Sequence, residues 1–395
     1  MTATSTRPAL DPKDYLGFDR LLNDEERLIR DTVRAWVNER IVPNVAEWFE
    51  AGHIPVELAK ELGDLGLLGM HLEGYGCAGT SATAYGIACM ELEAGDSGVR
   101  SLVSVQGSLA MFAIWRWGFE EQKERWLPPM HTGDAVGCFG LTEPDAGSDP
   151  ASMRTHARRD GSDWVLNGSK MWITNGTIAD VAVVWARTDD GKINGFLVEQ
   201  GTPGFEAPEM KHKLSLRASI TSELVLTDVR VPEANRFPEV STLRGPLSCL
   251  NEARYGIVWG AVGAARACFE AALSYAKERT QFDRPIGGFQ IQQLKLAKMA
   301  TEVNRGTLLA LHLGRLKDDG ALRPEHVSMG KLANVDGALE VCRTARQMLG
   351  ANGITLEYPV IRHMNNLESV LTYEGTHEVH TLSVGQALTG HSAFR

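Results

Sequence analysis

About 100 residues of short, β-rich runs, from about 134 to 238, lie between two long stretches of helical texture, and strands in that number without intervening helices suggest a small barrel or sandwich. W-V-L-N-G-S-K-M-W-I-T-N-G centres on Asn167-Gly168, the strongest two-residue hairpin signal, and ends on another Asn-Gly. V-A-V-V-W-A-R, a D-D-G-K turn and G-F-L-V-E continue the pattern, and S-E-L-V-L-T-D-V-R-V-P closes it. Upstream, from Asn23 to about Gly137, the texture is helical. Asn23 and Glu26 make a capping-box signal ahead of L-I-R-D-T-V-R-A-W-V-N-E-R, whose apolar residues recur at helical spacing. Pro43 predicts a kink or break, Pro55 a first helical position, and Pro128-Pro129 the break after F-E-E-Q-K-E-R-W-L. Beyond about 239 three long helical segments follow. The first, G-I-V-W-G-A-V-G-A-A-R-A-C-F-E-A-A-L, carries the small residues of a close-packed bundle helix. At 395 residues the chain is too long for one ordinary core. The expectation is a multi-domain α+β fold, helical over 1–137, β over 138–238 and helical over 239–395.

The net charge of -10 argues against a general nucleic-acid binder, which needs a surplus of Lys and Arg, but leaves anionic small molecules open. Six scattered cysteines, none at C-x-x-C spacing, fit free thiols in a reducing compartment better than a disulfide frame or a zinc site. No run approaches the ~18 apolar residues that span a membrane. The opening M-T-A-T-S-T-R-P-A-L-D-P is Ser/Thr-rich but lacks an apolar signal core and soon turns acidic. A cytoplasmic protein is the expectation.

Five short stretches offer chemistry. F-G-L-T-E-P-D-A-G-S-D, residues 139–149, follows a predicted strand with turn formers, two hydroxyls (Thr142, Ser148) and bare backbone donors. Such a loop suits the polar edge of a planar heterocycle or a pyrophosphate; an interdomain connector has the same composition. W-I-T-N, 172–175, adds an aromatic and a hydroxyl, and R-T-Q-F-D-R-P-I-G-G-F-Q, 279–290, joins an Arg, aromatics and amides or is a plain helix-to-helix turn. In L-T-Y-E-G-T-H-E-V-H, 371–380, Glu374 stands between an aromatic ring and a glycine. A surface glutamate needs neither neighbour; one that must reach a weakly acidic proton on a bound substrate uses both. Arg100, in D-S-G-V-R-S-L-V-S, is a lone cation in an apolar helical stretch, and such an Arg usually pairs with a carboxylate. His377 and His380 share a helix face, but H-E-V-H is not H-E-x-x-H and no third ligand is near, so no metal is expected.

Together F-G-L-T-E-P-D-A-G-S-D, W-I-T-N, R-T-Q-F-D-R-P-I, Q-M-L-G-A-N-G and Y-E-G-T-H-E closely resemble the acyl-CoA dehydrogenases, in the right order over nearly the whole chain. R-S-L-V-S-V-Q-G-S-L, G-C-F-G-L-T-E-P, S-L-R-A-S, C-L-N-E-A-R-Y-G-I and N-L-E-S-V-L-T-Y-E-G-T-H-E bring the likeness nearest to the glutaryl-CoA dehydrogenase branch. The resemblance implies a helical N-terminal domain, a middle β-barrel, a C-terminal four-helix bundle, and a homotetramer around FAD. It implies a flavin lined by Phe139, Leu141, Thr142, Gly147, Ser148 and Trp172-Ile173-Thr174. Arg279, Gln281, Phe282, Gln292 and the run Gln347, Met348, Leu349, Gly350 are then expected at the adenine-dinucleotide end, contributed by a neighbouring subunit, with Thr376 and Phe394 also touching FAD. The acyl-CoA is expected along Ser148 and the segment Cys249, Leu250, Asn251 to Arg254, Tyr255, Gly256, with Arg254 and Tyr255 near the reacting end.

By the same resemblance Glu374 is the base that removes the proton beside the thioester carbonyl, its backbone N–H helps bind the thioester oxygen, and Gly375 leaves room for that thioester. Arg100, with Ser101 beside it and Glu93 and Tyr373 as partners, is expected to bind the distal carboxylate of glutaryl-CoA. The implied reaction is oxidation and decarboxylation of glutaryl-CoA to crotonyl-CoA and CO2, with electrons passed to an electron-transfer flavoprotein, in lysine and tryptophan degradation. The alternative is a dehydrogenase for short or branched monocarboxylic acyl-CoA, or a diacid enzyme that does not decarboxylate.

Overall fold

The computed structural model describes residues 10–394. Most of the N-terminal stretch considered above for a targeting signal lies outside the described residues.

The N-terminal region is helical. Helix α1 (Asp24–Trp36) starts at the expected capping box, Asn23 Oδ1 accepting from Glu26 N and Glu26 Oε2 from Asn23 N, both at 2.9 Å. A π-turn at Val37–Ile41 precedes the break around Pro43, and α2 (Val45–Ala51) follows. Helix α3 (Leu58–Asp64) begins beyond Pro55 rather than at it, and a small hairpin, β1 (Glu73–Gly74) with β2 (Cys77–Ala78), comes next. Helix α4 (Ala82–Gly95) is buried on nearly every side, as its apolar composition demands. After it come α5 (Ser97–Ser104), a π-helical segment Val105–Met111, α6 (Phe112–Trp117) and α7 (Glu120–His131). The break expected at Pro128-Pro129 is not there, because α7 runs through both. Each proline gives up its own N–H bond to the carbonyl four residues back, and buried Trp126, Leu127 and Met130 hold those turns against the core in spite of the loss.

Seven strands make the middle sheet: β3 (Gly137–Gly140), β4 (His156–Asp160), β5 (Asp163–Thr174), β6 (Val181–Thr188), β7 (Ile193–Glu199), β8 (Phe205–Glu206) and β9 (Thr221–Pro232). The sheet is curled, with β7 and β8 at its edges; β3 and β4 lie end to end along β6, each parallel to it. The D-D-G-K turn joins β6 to β7 as expected. Asn167-Gly168, in contrast, is not a hairpin. The turn lies earlier, at Gly161-Ser162 between β4 and β5, and Asn167-Gly168 is an irregularity inside β5 where its register against β9 shifts. Gly168 sits at φ 144°, and a Cβ there would come within 2.8 Å of Thr155, so this glycine permits a close approach, not a reversal. A second register shift, between Lys170 and Ile173, puts Trp172 at φ 64°. Alternation along β6 sends Val181, Val183 and Trp185 into the core shared with the N-terminal helices, and Ala182, Val184 and Ala186 into a separate core on the other face.

The C-terminal region returns to helix: α8 (Arg244–Glu278), the hairpin β10 (Thr280–Gln281) with β11 (Arg284–Pro285), α9 (Gln290–Asp318), α10 (Pro324–Met348), α11 (Val360–Thr372) and α12 (His377–Thr389). By length and mean hydropathy α8 is long and apolar enough to pass as a membrane span, but Arg266 and Glu270 interrupt its apolar run and 72% of its most apolar window is buried inside the fold, where α8 is the central core helix. Its small residues serve close approach to α4, since a Cβ on Gly263 would fall 1.9 Å from the Met90 carbonyl oxygen.

Candidate active site at the junction of α11 and α12

Helix α11 stops at Thr372, and Thr376 caps α12, its Oγ1 accepting from Val379 N at 3.3 Å. The residues between them, Tyr373, Glu374 and Gly375, form an arch. Glu374 has φ 51°, a left-handed conformation that a non-glycine residue keeps only when its surroundings impose it. They do so through the carbonyls. Lys331 Nζ, from α10, donates to Tyr373 O and, at 2.6 Å, to Gly375 O, while Arg254 Nε, from α8, donates to Glu374 O at 2.7 Å. Gly375 is explained by its own φ of 98° and by His380, whose Nε2 would lie 2.7 Å from a Cβ there. His380 Nδ1 bonds Ser328 Oγ at 3.0 Å and His377 faces Asp336 at 3.3 Å, so the two histidines have different partners.

The Glu374 residue is half-buried, but its Oε2 is fully enclosed and has no hydrogen-bond partner among the described residues. Burial raises its pKa, and the charges of Arg100, Lys331 and Arg254 pull it only part of the way back. The same burial pushes Lys331 down to about 7, with Glu374 opposing the drop. A carboxylate weakened as an acid, enclosed and free of partners is equipped to take a proton.

Arg100 lies close by and is fully buried. Its Nε donates to Glu93 Oε2 at 2.7 Å, and its Nη2 donates to the Tyr373 hydroxyl. Nη1 has no protein acceptor among the described residues. Ser97 Oγ donates to the other oxygen of Glu93 at 2.8 Å, and Ser101 Oγ is enclosed without a partner among the described residues. Gly260 of α8 makes space for the pair, since a Cβ there would lie 2.0 Å from Glu93 Oε2. Burial works against the Arg100 charge, but Glu93 outweighs it and the guanidinium is held more firmly protonated than usual.

The expected acyl-CoA segment divides. Arg254 reaches Glu374, with Asn251 Oδ1 3.1 Å from its Nη1, and Leu250 is half-buried. Cys249 and Gly256 are buried in helix packing. Tyr255 does not turn its hydroxyl to the reacting end: that hydroxyl donates to Ala82 O at 2.8 Å, at the start of α4, whereas Glu93 lies near its finish.

Of the residues expected at a flavin ring, Phe139, Leu141 and Ile173 are buried and support the surface that Thr142, Trp172 and Thr174 present. Trp172, on its bulge, is 57% exposed, and Met171 N bonds Thr142 O at 2.9 Å, joining the two stretches. Gly147 and Ser148 are exposed. Glu143 in the same loop is structural, paired with buried Lys170 at 2.7 Å. The strand end at Asn175 bonds Ile220 O at 3.0 Å, and Leu216 N bonds Asn366 Oδ1 of α11 at 2.9 Å, so a short chain of contacts links Trp172 to the helix leading into Glu374.

The adenine-end residues are elsewhere in this chain. From Arg254 to Arg279 α8 extends about 37 Å at its ~1.5 Å rise per residue. Phe282, at the β10–β11 turn with φ 52°, is 87% exposed; Arg279, Gln281, Gln347, Gly350 and Phe394 are exposed as well. The side chains of Met348 and Leu349 belong to the core of the bundle. The fit to a flavin rests on the outward Trp172 and Phe282 rings and on two enclosed polar atoms without partners among the described residues, Asn175 Nδ2 and Gln292 Oε1. Sequence reasoning missed Lys331, Gly260 and Ser97; Lys331, in M-G-K-L-A, carried the same signal as Arg100, a lone cation on an apolar helical stretch.

Comparison with known proteins agrees. The N-terminal, middle and C-terminal domain models of the acyl-CoA dehydrogenases match residues 23–134, 138–229 and 244–389. A mitochondrial short-chain specific acyl-CoA dehydrogenase of Bos taurus is 35% identical over 369 residues, covering 92% of this chain and 90% of the relative. The crystal structure of glutaryl-CoA dehydrogenase from Mycobacterium smegmatis matches with a TM-score of 0.96 at 66% identity, covering 98% of this chain and 100% of that one. A structure of a glutaryl-CoA dehydrogenase from the same organism in complex with FADH2 matches equally well, with a TM-score of 0.96 at 62% identity and the same coverage.

Proposed function

Because this chain belongs to the acyl-CoA dehydrogenase family and is an FAD-dependent acyl-CoA dehydrogenase, we propose that its substrate is glutaryl-CoA, which it oxidises and decarboxylates to crotonyl-CoA and CO2. The observation that carries the proposal is Arg100, a fully buried cation beside the base with free Nη1 donors. Around the arch the guanidinium groups of Arg100 and Arg254, with a Lys331 that burial has lowered to about 7, face two carboxylates, Glu93 and Glu374. An acyl chain ending in a carboxylate gives the Nη1 of Arg100 an acceptor; one ending in a methyl group leaves it without one. The 66% identity to a glutaryl-CoA dehydrogenase supports the same choice.

Glu374 removes the proton α to the thioester carbonyl. Its own N–H turns toward the thioester oxygen and stabilises the enolate, without which the proton is too weakly acidic for a carboxylate. FAD supplies the acceptor for the β-hydride. With the α,β double bond in place, Arg100 holds the distal carboxylate until its C–C bond breaks and CO2 leaves. The electron pair passes into the conjugated thioester and protonation yields crotonyl-CoA. Ser101 and Tyr373 flank the carboxylate, and Thr142, Trp172 and Thr174 hold the ring. Electrons then pass to an electron-transfer flavoprotein, and the enzyme works as a cytoplasmic homotetramer in lysine and tryptophan degradation.

The test compares glutaryl-CoA with butyryl-CoA in Arg100→Ala at normal flavin content. A charge-assisted contact contributes on the order of 2–5 kcal/mol, so the apparent KM for glutaryl-CoA should rise strongly while butyryl-CoA changes far less. Equal losses for both would leave Arg100 a structural residue and move the substrate to a monocarboxylic acyl-CoA.

A further inference from the structure

Three consecutive carbonyls, of Tyr373, Glu374 and Gly375, are each drawn to a buried cation, the first and third to Lys331 and the middle one to Arg254. In a planar trans peptide the C=O and N–H point in opposite directions. Drawing the Tyr373 carbonyl toward α10 therefore turns the N–H of Glu374 away from α10, out of the far side of the arch. Among the described residues that N–H has no protein acceptor. The neighbouring Oε2 of the same residue is enclosed and likewise without a partner; an N–H beside it with no protein acceptor is a donor open to a ligand.

We propose that Lys331 is a positioning residue of the reaction: by anchoring the carbonyls on both sides of Glu374 it fixes the left-handed turn and aims the Glu374 N–H at the thioester oxygen. Lys331 is 2% exposed on a helix otherwise packed in the bundle, its Nζ lies 5.7 Å from the centre of the Tyr373 ring, and it makes no hydrogen bond other than those to the two carbonyls among the described residues. Removing it frees the peptide between Tyr373 and Glu374 to rotate. The oxyanion donor is then lost while the carboxylate remains. The proposal rests on Glu374 acting as the base beside a bound thioester.

The test uses acetoacetyl-CoA, whose α-carbon is acidic enough to bind as an enolate without being oxidised, and crotonyl-CoA, which binds uncharged. Both affinities are read from the flavin absorbance of the holoenzyme. In Lys331→Met the enolate should bind about 10- to 100-fold more weakly, at or below the ~100-fold that deleting an oxyanion donor costs, with crotonyl-CoA binding nearly unchanged. Lys331→Gln keeps an N–H donor without the charge and should recover part of the loss; it is read alone if the Met variant does not fold. Equal weakening of the two ligands, or none for either, in whichever variant folds overturns the proposal. Glu374→Gln serves as the separate control: near-normal flavin reduction by glutaryl-CoA in that variant would refute the base itself, independently of Lys331.

Discussion

Glu374 holds an acid where the fold disfavours its charge. With its pKa raised above the usual carboxylate range by burial, the stability it allows is fully present below the unfolded pKa of ~4.3 and is lost as pH rises through the folded value. Glu374→Gln, which carries no charge at any pH, should therefore match the wild type near pH 4 and be more stable than it at pH 8. Urea unfolding at the two pH values measures this, and a gap that shrinks toward pH 8 would contradict it. Glu374 and Arg100 were legible because each is a charge in an apolar or special setting. Tyr255 was misplaced because a motif fixes its position in the chain but not which way a helix turns its side chain. Gly260 could not be anticipated: its role is space for Glu93, a residue far from it in sequence.

Among the elements, α4 depends on one carboxylate. Glu91, 1% exposed, is gripped by Arg34 of α1 at 2.9 Å and by Arg266 of α8 at 2.6 Å. Burial alone would raise its pKa, but the two guanidinium groups win and hold it at about 2. Its stabilisation is thus present above the unfolded pKa and lost as pH falls from ~4.3 toward about 2. Glu91→Gln should cost about 3–5 kcal/mol at pH 7, as breaking a buried pair does, and the difference should fade in acid; urea titrations of both proteins would show it. The helices, the capping box and the D-D-G-K hairpin were legible because local chemistry decides them. The Asn167-Gly168 hairpin and the Pro128-Pro129 break were expected on equally good local grounds and did not form. Pairing with β9 keeps β5 continuous, and core burial keeps α7 intact.

At the scale of the whole molecule, the succession helix, sheet, helix was the most legible property, since each block has its own periodicity. What no single chain displays is its complement. Phe282, Ile291, Leu294 and Leu388 leave apolar surface exposed on the bundle, with Phe282 at 87%, and the proposed homotetramer would cover such surface. Phe282→Asp should lower assembly, seen by light scattering, and flavin content, seen in the absorbance ratio, together. Full colour in a dissociated variant would place the adenine end within one chain. The 37 Å of α8 between Arg254 and Arg279 also has a genetic consequence. If each flavin pocket takes its Trp172 side from one copy and its Phe282 side from another, two differently broken alleles complement each other. In a mixed pair one pocket inherits both lesions and the other inherits neither, so activity returns from parents that have none.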